Sequence, residues 1–197
     1  MNRLLVCSAL TLSAVSLAQT AEAQLVEEAR IGVMQHNICV IDCKNADKED
    51  GPTVEGEIVF ASPEFLKYIW APRPYALASI NVSGDTSYGA VGLMWNWDFA
   101  EDWSLEPSLG YAIHDGAVAS PFPQGSPESN AFSQENVLYG SEDLFRTGLA
   151  VNRDIGENWG LQLQYEHLSH GQILGNGRNQ GVDSIGLRAY YRFGGEG

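Results

Sequence analysis

Toward the C-terminus, apolar and polar residues alternate strictly. Trp159, Leu161, Leu163 and Tyr165 take the odd positions, and Gly160, Gln162, Gln164 and Glu166 the even ones. Side chains two apart on a strand share a face, so this period predicts a β-strand with one apolar and one polar side. The pattern recurs upstream. Trp103, Leu105, Pro107, Leu109, Tyr111 and Ile113 oppose Ser104, Glu106, Ser108, Gly110, Ala112 and His114. Val91, Leu93, Trp95, Trp97 and Phe99 oppose Ala90, Gly92, Asn96 and Asp98. The whole chain reads as eight strands, over 28–38, 53–61, 73–83, 87–98, 103–114, 141–153, 159–169 and 182–193. The third alternates poorly, and no helical period stands out.

Eight two-faced strands admit two architectures. A soluble barrel, as in lipocalins, turns its apolar face inward, whereas a membrane barrel turns it outward. Charges recur on the polar face (Arg30, Glu55, Glu57, Glu106, Arg146, Arg188 and Arg192), which suits an ion-paired interior. The strands match the ~9–11 residues of a tilted bilayer span. Connections after the first, fifth and seventh strands are long, and those after the fourth (100–102) and sixth (156–158) are short. The alternation is imperfect, because 84–86 is short on the long-loop side and 62–72 is long on the other. Counted up and down from a periplasmic start, Trp70, Trp95, Trp97, Trp103 and Trp159 all fall at the periplasmic rim, as an interfacial belt would. The expected fold is all-β: an eight-stranded antiparallel transmembrane β-barrel.

Composition and the N-terminus agree with this. Lys and Arg number 11 against 25 Asp and Glu, a net charge of −14, which argues against nucleic-acid binding. Arg3, the apolar stretch 4–17 and Ala21-Glu22-Ala23 have the layout of a signal peptide over 1–23, leaving 24–197 as the barrel. Cys7 would leave with the signal. Cys39 and Cys43 remain in an exported chain and are expected to form a disulfide. The loop is so short that this bond contributes little through chain entropy. No metal site and no cofactor are expected.

Two apolar stripes carry polar residues at their ends. His167 and Ser169 continue the odd face of the seventh strand, and Asp183 opens the stripe Ile185, Leu187, Ala189, Tyr191 and Phe193 of the eighth. Residues i and i+2 lie ~6.6 Å apart along a strand. If His167 pairs with Asp183, then 165 faces 185, 163 faces 187 and 161 faces 189, apolar against apolar throughout. Cross-strand partners have Cβ atoms ~4.5–5.5 Å apart, so Asp183 can hold one ring nitrogen of His167 while the other faces Ser169. This is the arrangement of a serine hydrolase, in chain order His, Ser, Asp. A one-residue slip would remove the acid from the face. The spacing also fits ordinary polar rim residues of a non-catalytic barrel, such as an adhesin or membrane-stabilising protein. His170 has the opposite parity and reads as a rim histidine, and His36 and His114 as rim or interior residues. The acidic loop 44–51 and the Ser/Pro/Gly-rich loop 115–138 read as solvated connections.

The stretch Tyr165-Glu166-His167-Leu168-Ser169, with Asn179-Gln180-Gly181-Val182-Asp183-Ser184 and the closing strand from Leu187 to Phe193, resembles the C-terminal hairpin of the PagL-type lipid A 3-O-deacylases. The resemblance implies an eight-stranded barrel in the bacterial outer membrane that removes an ester-linked acyl chain from lipid A, with its site at the outer leaflet. It implies His167 as base, Ser169 as nucleophile, Asp183 as acid and Asn179 as an oxyanion donor. The chain departs from that pattern in having Asp183 where the best-known members have Glu, and His170 where they have Asn.

Overall fold

The computed structural model describes residues 25–41 and 43–194. The expected leader, 1–23, lies outside the described residues. Its strands are β1 (Val26–Ile38), β2 (Pro52–Phe60), β3 (Arg73–Asn81), β4 (Tyr88–Met94), β5 (Trp97–Ala100), β6 (Trp103–His114), β7 (Asp143–Asp154), β8 (Trp159–Ser169) and β9 (Val182–Arg192). Neighbours pair antiparallel, β1 pairs with β9, and β4 and β5 both pair with β6. The sheet therefore closes as an eight-stave barrel in which β4 and β5 share one stave. Closure leaves no open edge, the condition for a β-structure in lipid.

The break in the fourth stave has a local cause. Met94 pairs with Ser108 and Trp97 with Leu105 in one register, which sets Trp95 opposite Pro107. Pro107 has no N–H to donate, so the ladder lapses there. The Trp95 N–H still reaches the Pro107 carbonyl at 3.0 Å.

The two faces differ as the alternation requires. Ile31, Val33, Val91, Ile113, Leu161 and Leu187 are exposed on the outer wall. Inside, charged groups are paired. Arg30 donates to both oxygens of Glu106, at 2.5 and 2.8 Å, and to Glu28 at 2.5 Å. Arg73 donates to Glu106 at 3.0 Å, Arg188 bridges Glu55 and Glu57 at 3.4 and 3.2 Å, and Arg146 donates to Glu166 at 2.8 Å. Tyr75 crosses this space, its hydroxyl accepting from Arg146 at 3.1 Å. It fits because Gly92 and Gly110 face it: a Cβ on either would lie 2.7 or 2.2 Å from its ring or hydroxyl. The poor alternation of β3 follows from the same packing. Its inward positions are Tyr75, Leu77, Ser79 and Asn81, and its outward ones include the small Ala76 and Ala78, so the hydropathy contrast is weak.

The barrel has two unlike rims. One carries the turns after β5 and β7, the 61–72 connection, both barrel termini and all five tryptophans. There Trp159 packs on Tyr191 with ring centroids 4.7 Å apart, and Tyr191 on Phe193 at 5.2 Å. The other rim carries the connections 39–51, 82–87, 115–142 and 170–181. The third of these, where the sequence predicts only a solvated connection, contains a helix, α1 (Pro127–Glu135). Its start is marked locally: the Ser126 hydroxyl accepts from Ser129 N at 3.1 Å, and Pro127 occupies the first turn, where its missing N–H costs nothing.

Glu49 ties three of these connections together. Its carboxylate pairs with His36 Nε2 at 2.9 Å and accepts from Thr86 N at 3.4 Å, Val137 N at 3.3 Å and the Tyr139 hydroxyl at 3.5 Å. Burial raises the Glu49 pKa, but the hydrogen bonds from His36 and Thr86 and the charge of His36 outweigh it. The net value lies below 4.5. A depressed carboxylate contributes stability that is complete above its unfolded value and fades as pH falls through the folded one. The amides of Thr86 and Val137 are therefore expected to lose hydrogen-exchange protection below about pH 4.5, while the strand amides keep theirs. Protection at Thr86 and Val137 that stays level from neutral pH into the acid range would refute this.

Candidate active site

The hairpin of β8 and β9 adopts the pairing expected from the sequence. His167 lies opposite Asp183, Tyr165 opposite Ile185, Leu163 opposite Leu187 and Leu161 opposite Ala189. His167 and Ser169 are the last outward-facing positions of β8, and Asp183 is the second residue of β9. All three lie at the long-loop rim. The His167 ring bridges the other two: Nδ1 is 2.7 Å from Asp183 Oδ1, and Nε2 is 3.1 Å from Ser169 Oγ. An ionised carboxylate can only accept, so Nδ1 carries the proton and Nε2 presents its lone pair to the hydroxyl.

The acid sits in a different setting from the one its parity implies. On an outward face it would meet lipid, yet Asp183 is only 1 % exposed. The end of β1 covers it. The β1–β9 register runs regularly to Gln35 opposite Ile185, shifts, and resumes with Ile38 opposite Asp183. Asn37, in the left-handed region at φ 52°, turns the chain within this bulge, a conformation asparagine tolerates better than most residues. The next residues lie over the carboxylate, so Asp183 Oδ2 accepts from Val40 N at 3.2 Å and Ile41 N at 2.6 Å. Oδ1 also accepts from the Tyr165 hydroxyl at 2.8 Å. Burying a carboxylate is costly unless donors meet it, and here His167, Tyr165 and two backbone amides do. Cys39 and Cys43 are joined by a disulfide across the turn that holds Val40 and Ile41.

The connection 170–181 closes the other side. His170 is fully buried and organises this loop: its Nε2 donates to Arg178 O at 2.9 Å, and its Nδ1 accepts from Gln172 N at 3.1 Å. Its own N–H donates to Asn179 Oδ1 at 3.1 Å. Gln180 Oε1 accepts from Leu138 N at 2.7 Å and ties the loop to the segment after α1. Gly181 lies against the His167 ring, where a Cβ would come within 2.7 Å of Cε1. Sequence reasoning missed Tyr165, counted there as one more apolar residue of the stripe, and the Val40 and Ile41 amides, which no side-chain pattern signals. Among the described residues, no group of three or more His, Cys, Asp or Glu is arranged to hold a metal ion.

A closed, ion-paired barrel with an apolar outer band and an aromatic rim is an outer-membrane β-barrel, and this one carries a His–Ser–Asp contact on its wall. The chain belongs to the lipid A 3-O-deacylase (PagL) family, whose model matches residues 46–192. Its barrel is similar to the crystal structure of the outer membrane enzyme PagL, at 12% identity and a TM-score of 0.56, covering 85% of this chain and 99% of that one. Two further barrels align at lower scores. A de novo designed transmembrane β-barrel gives 10% identity and a TM-score of 0.47, over 87% of this chain and 100% of that one. The N-terminal barrel domain of Pseudomonas aeruginosa OprF gives 8% and 0.47, over 85% and 100%. A comparison with curated protein sequences finds no match. Family and fold together support an outer-membrane lipid A deacylase.

Proposed function

We propose that this chain is a serine esterase that cleaves an ester-linked acyl chain from lipid A at the outer leaflet. The observation that carries the reading is the His167 ring held between Asp183 and Ser169. Ser169 Oγ attacks the ester carbonyl while His167 Nε2 takes its proton. His167 then protonates the departing sugar oxygen, leaving the acyl group on Ser169. Water attacks this acyl-enzyme, His167 takes the water proton, and the fatty acid leaves as the Ser169 hydroxyl is restored. Asp183 stays ionised throughout and stabilises the imidazolium through Nδ1–H. The site lies on the outer wall at the long-loop rim, where an acyl chain reaches it from the bilayer side and the sugar from the rim. Lipid A occupies that leaflet, so substrate arrives without entering the barrel.

Lipid A from cells that express the chain, compared by mass spectrometry with lipid A from cells that do not, is expected to lose one ester-linked acyl group and keep its phosphates. Unchanged lipid A around a correctly inserted barrel would favour the non-catalytic reading.

Asn179 is the proposed oxyanion donor. Its carbonyl accepts from His170 N, and its NH2 is the group proposed to meet the developing charge. Asn179→Ala is expected to lower kcat by about 10²–10³ with little change in KM, since the donor acts on charge that exists only in the transition state. Turnover within a few-fold of the parent in a folded variant would take Asn179 out of the site.

A further inference from the structure

The structure gives the Cys39–Cys43 ring a task that its size alone does not suggest. We infer that this ring is a positioning device for Asp183: it holds the Val40 and Ile41 amides in place, and they hold the carboxylate that orients His167. The inference rests on the esterase reading.

Asp183 uses its two oxygens differently. Oδ1 serves His167 and Tyr165, and Oδ2 is met by Val40 N and Ile41 N. A carboxylate on a two-bond stem rotates about its last torsion, which is broad and two-fold. Two donors on the far oxygen fix that rotation, and with it the line from Oδ1 to His167 Nδ1. The turn that supplies them is not held down by its own side chains, because Val40 and Ile41 are 54% and 66% exposed. Its shape rests on two other ties. One is the disulfide, and the other is Asn37 Nδ2, which donates to Asn45 O at 2.6 Å and Glu49 O at 3.1 Å. A bond that closes so short a loop adds little to global stability through chain entropy, so its effect is local. The ring also precedes residues 46–192, the part that matches the family model, so this chain brings it to the site from outside the matched region.

The test compares three proteins in one detergent-solubilised lipid A assay: the parent, Cys39→Ser/Cys43→Ser, and Asp183→Asn, together with the combination of the last two. Losing well-aligned donors to a carboxylate is expected to lower kcat roughly tenfold in the double serine variant, with KM within a factor of about two. In the Asp183→Asn background the serine pair is expected to change kcat no further, because the device acts only through that carboxylate. A ring that merely stiffened the rim would lower both backgrounds alike, and that additivity would overturn the inference. So would parent-like kcat in the serine variant while Asp183→Asn is crippled. Full activity in Asp183→Asn would instead overturn the esterase assignment of the acid. If the serine variant fails to fold, the parent barrel is folded first and then treated with a phosphine. The phosphine is oxidised to its oxide as the bond becomes two thiols, water supplying the oxide oxygen and both thiol protons, and the same loss of kcat with unchanged gel mobility is expected. Ile41→Pro, which deletes the 2.6 Å donor and leaves the disulfide, is expected to reproduce the loss.

Discussion

Ser169→Ala is expected to leave lipid A fully acylated in cells where the barrel inserts as well as the parent. Its hydroxyl is hydrogen-bonded to His167 Nε2, a ring nitrogen at the rim, so removing it strands no buried group. The position faces outward at the end of β8, opposite Phe145 of β7, where a methyl group suits the neighbourhood at least as well. Folding therefore has no need of the oxygen, and catalysis by the proposed route has no substitute for it. With the acyl-enzyme path closed, only binding and the oxyanion donors remain, so the fall is expected to exceed about 10³. The measurements are heat-modifiable gel mobility for folding and lipid A mass spectrometry for turnover. Deacylation that persists in folded Ser169→Ala would end the nucleophile assignment. Misfolding of this variant would mean the wall depends on a polar contact that the structure does not contain.

The second large effect is on stability. Glu106→Ala is expected to destabilise the barrel by about 3–5 kcal/mol, because it removes the shared partner of buried cations. Both Glu106 oxygens meet Arg30, one also meets Arg73, and Gln162 donates to the other at 3.1 Å. Arg30 keeps Glu28 and Glu57, but the interior carries one more uncompensated positive charge and a void where a carboxylate stood. Glu106→Gln preserves the volume and loses the charge, so its cost is expected to be smaller; the difference between the two variants separates packing from pairing. Urea unfolding in lipid vesicles reads both. A Glu106→Ala midpoint indistinguishable from the parent, at equal slope, would show that the interior network is not what holds the staves together.

Much of this fold is legible in the alternation because a membrane barrel enforces period two more strictly than most folds do. β8 and β9 are the clearest case. Leu161, Leu163 and Tyr165 meet apolar partners only in registers of one parity, and the register adopted sets His167 against Asp183. A short acid then reaches the ring because it stands directly opposite. What the sequence hides is whatever depends on backbone or on pairs from distant strands. Pro107 gives no warning that it will break the stave beside its own, because its effect falls on Trp95. α1 is a short helix without a strong apolar face, so only its Ser126-Pro127 start could have announced it. The cover over Asp183 is made by amide groups of Val40 and Ile41, and an amide is the same in every residue.

The packed interior has a consequence for the membrane as a barrier. Arg146, Tyr75, Gln162, Gln164 and Glu28 are all fully buried where a porin would hold water. Among the described residues, paired charges and packed side chains fill the lumen, so the molecule is expected to pass no current in a planar bilayer. The proposed esterase site needs no lumen, since it lies on the outer wall. A cell can carry many copies of it without shunting the gradients or relaxing the molecular sieve that the outer membrane maintains.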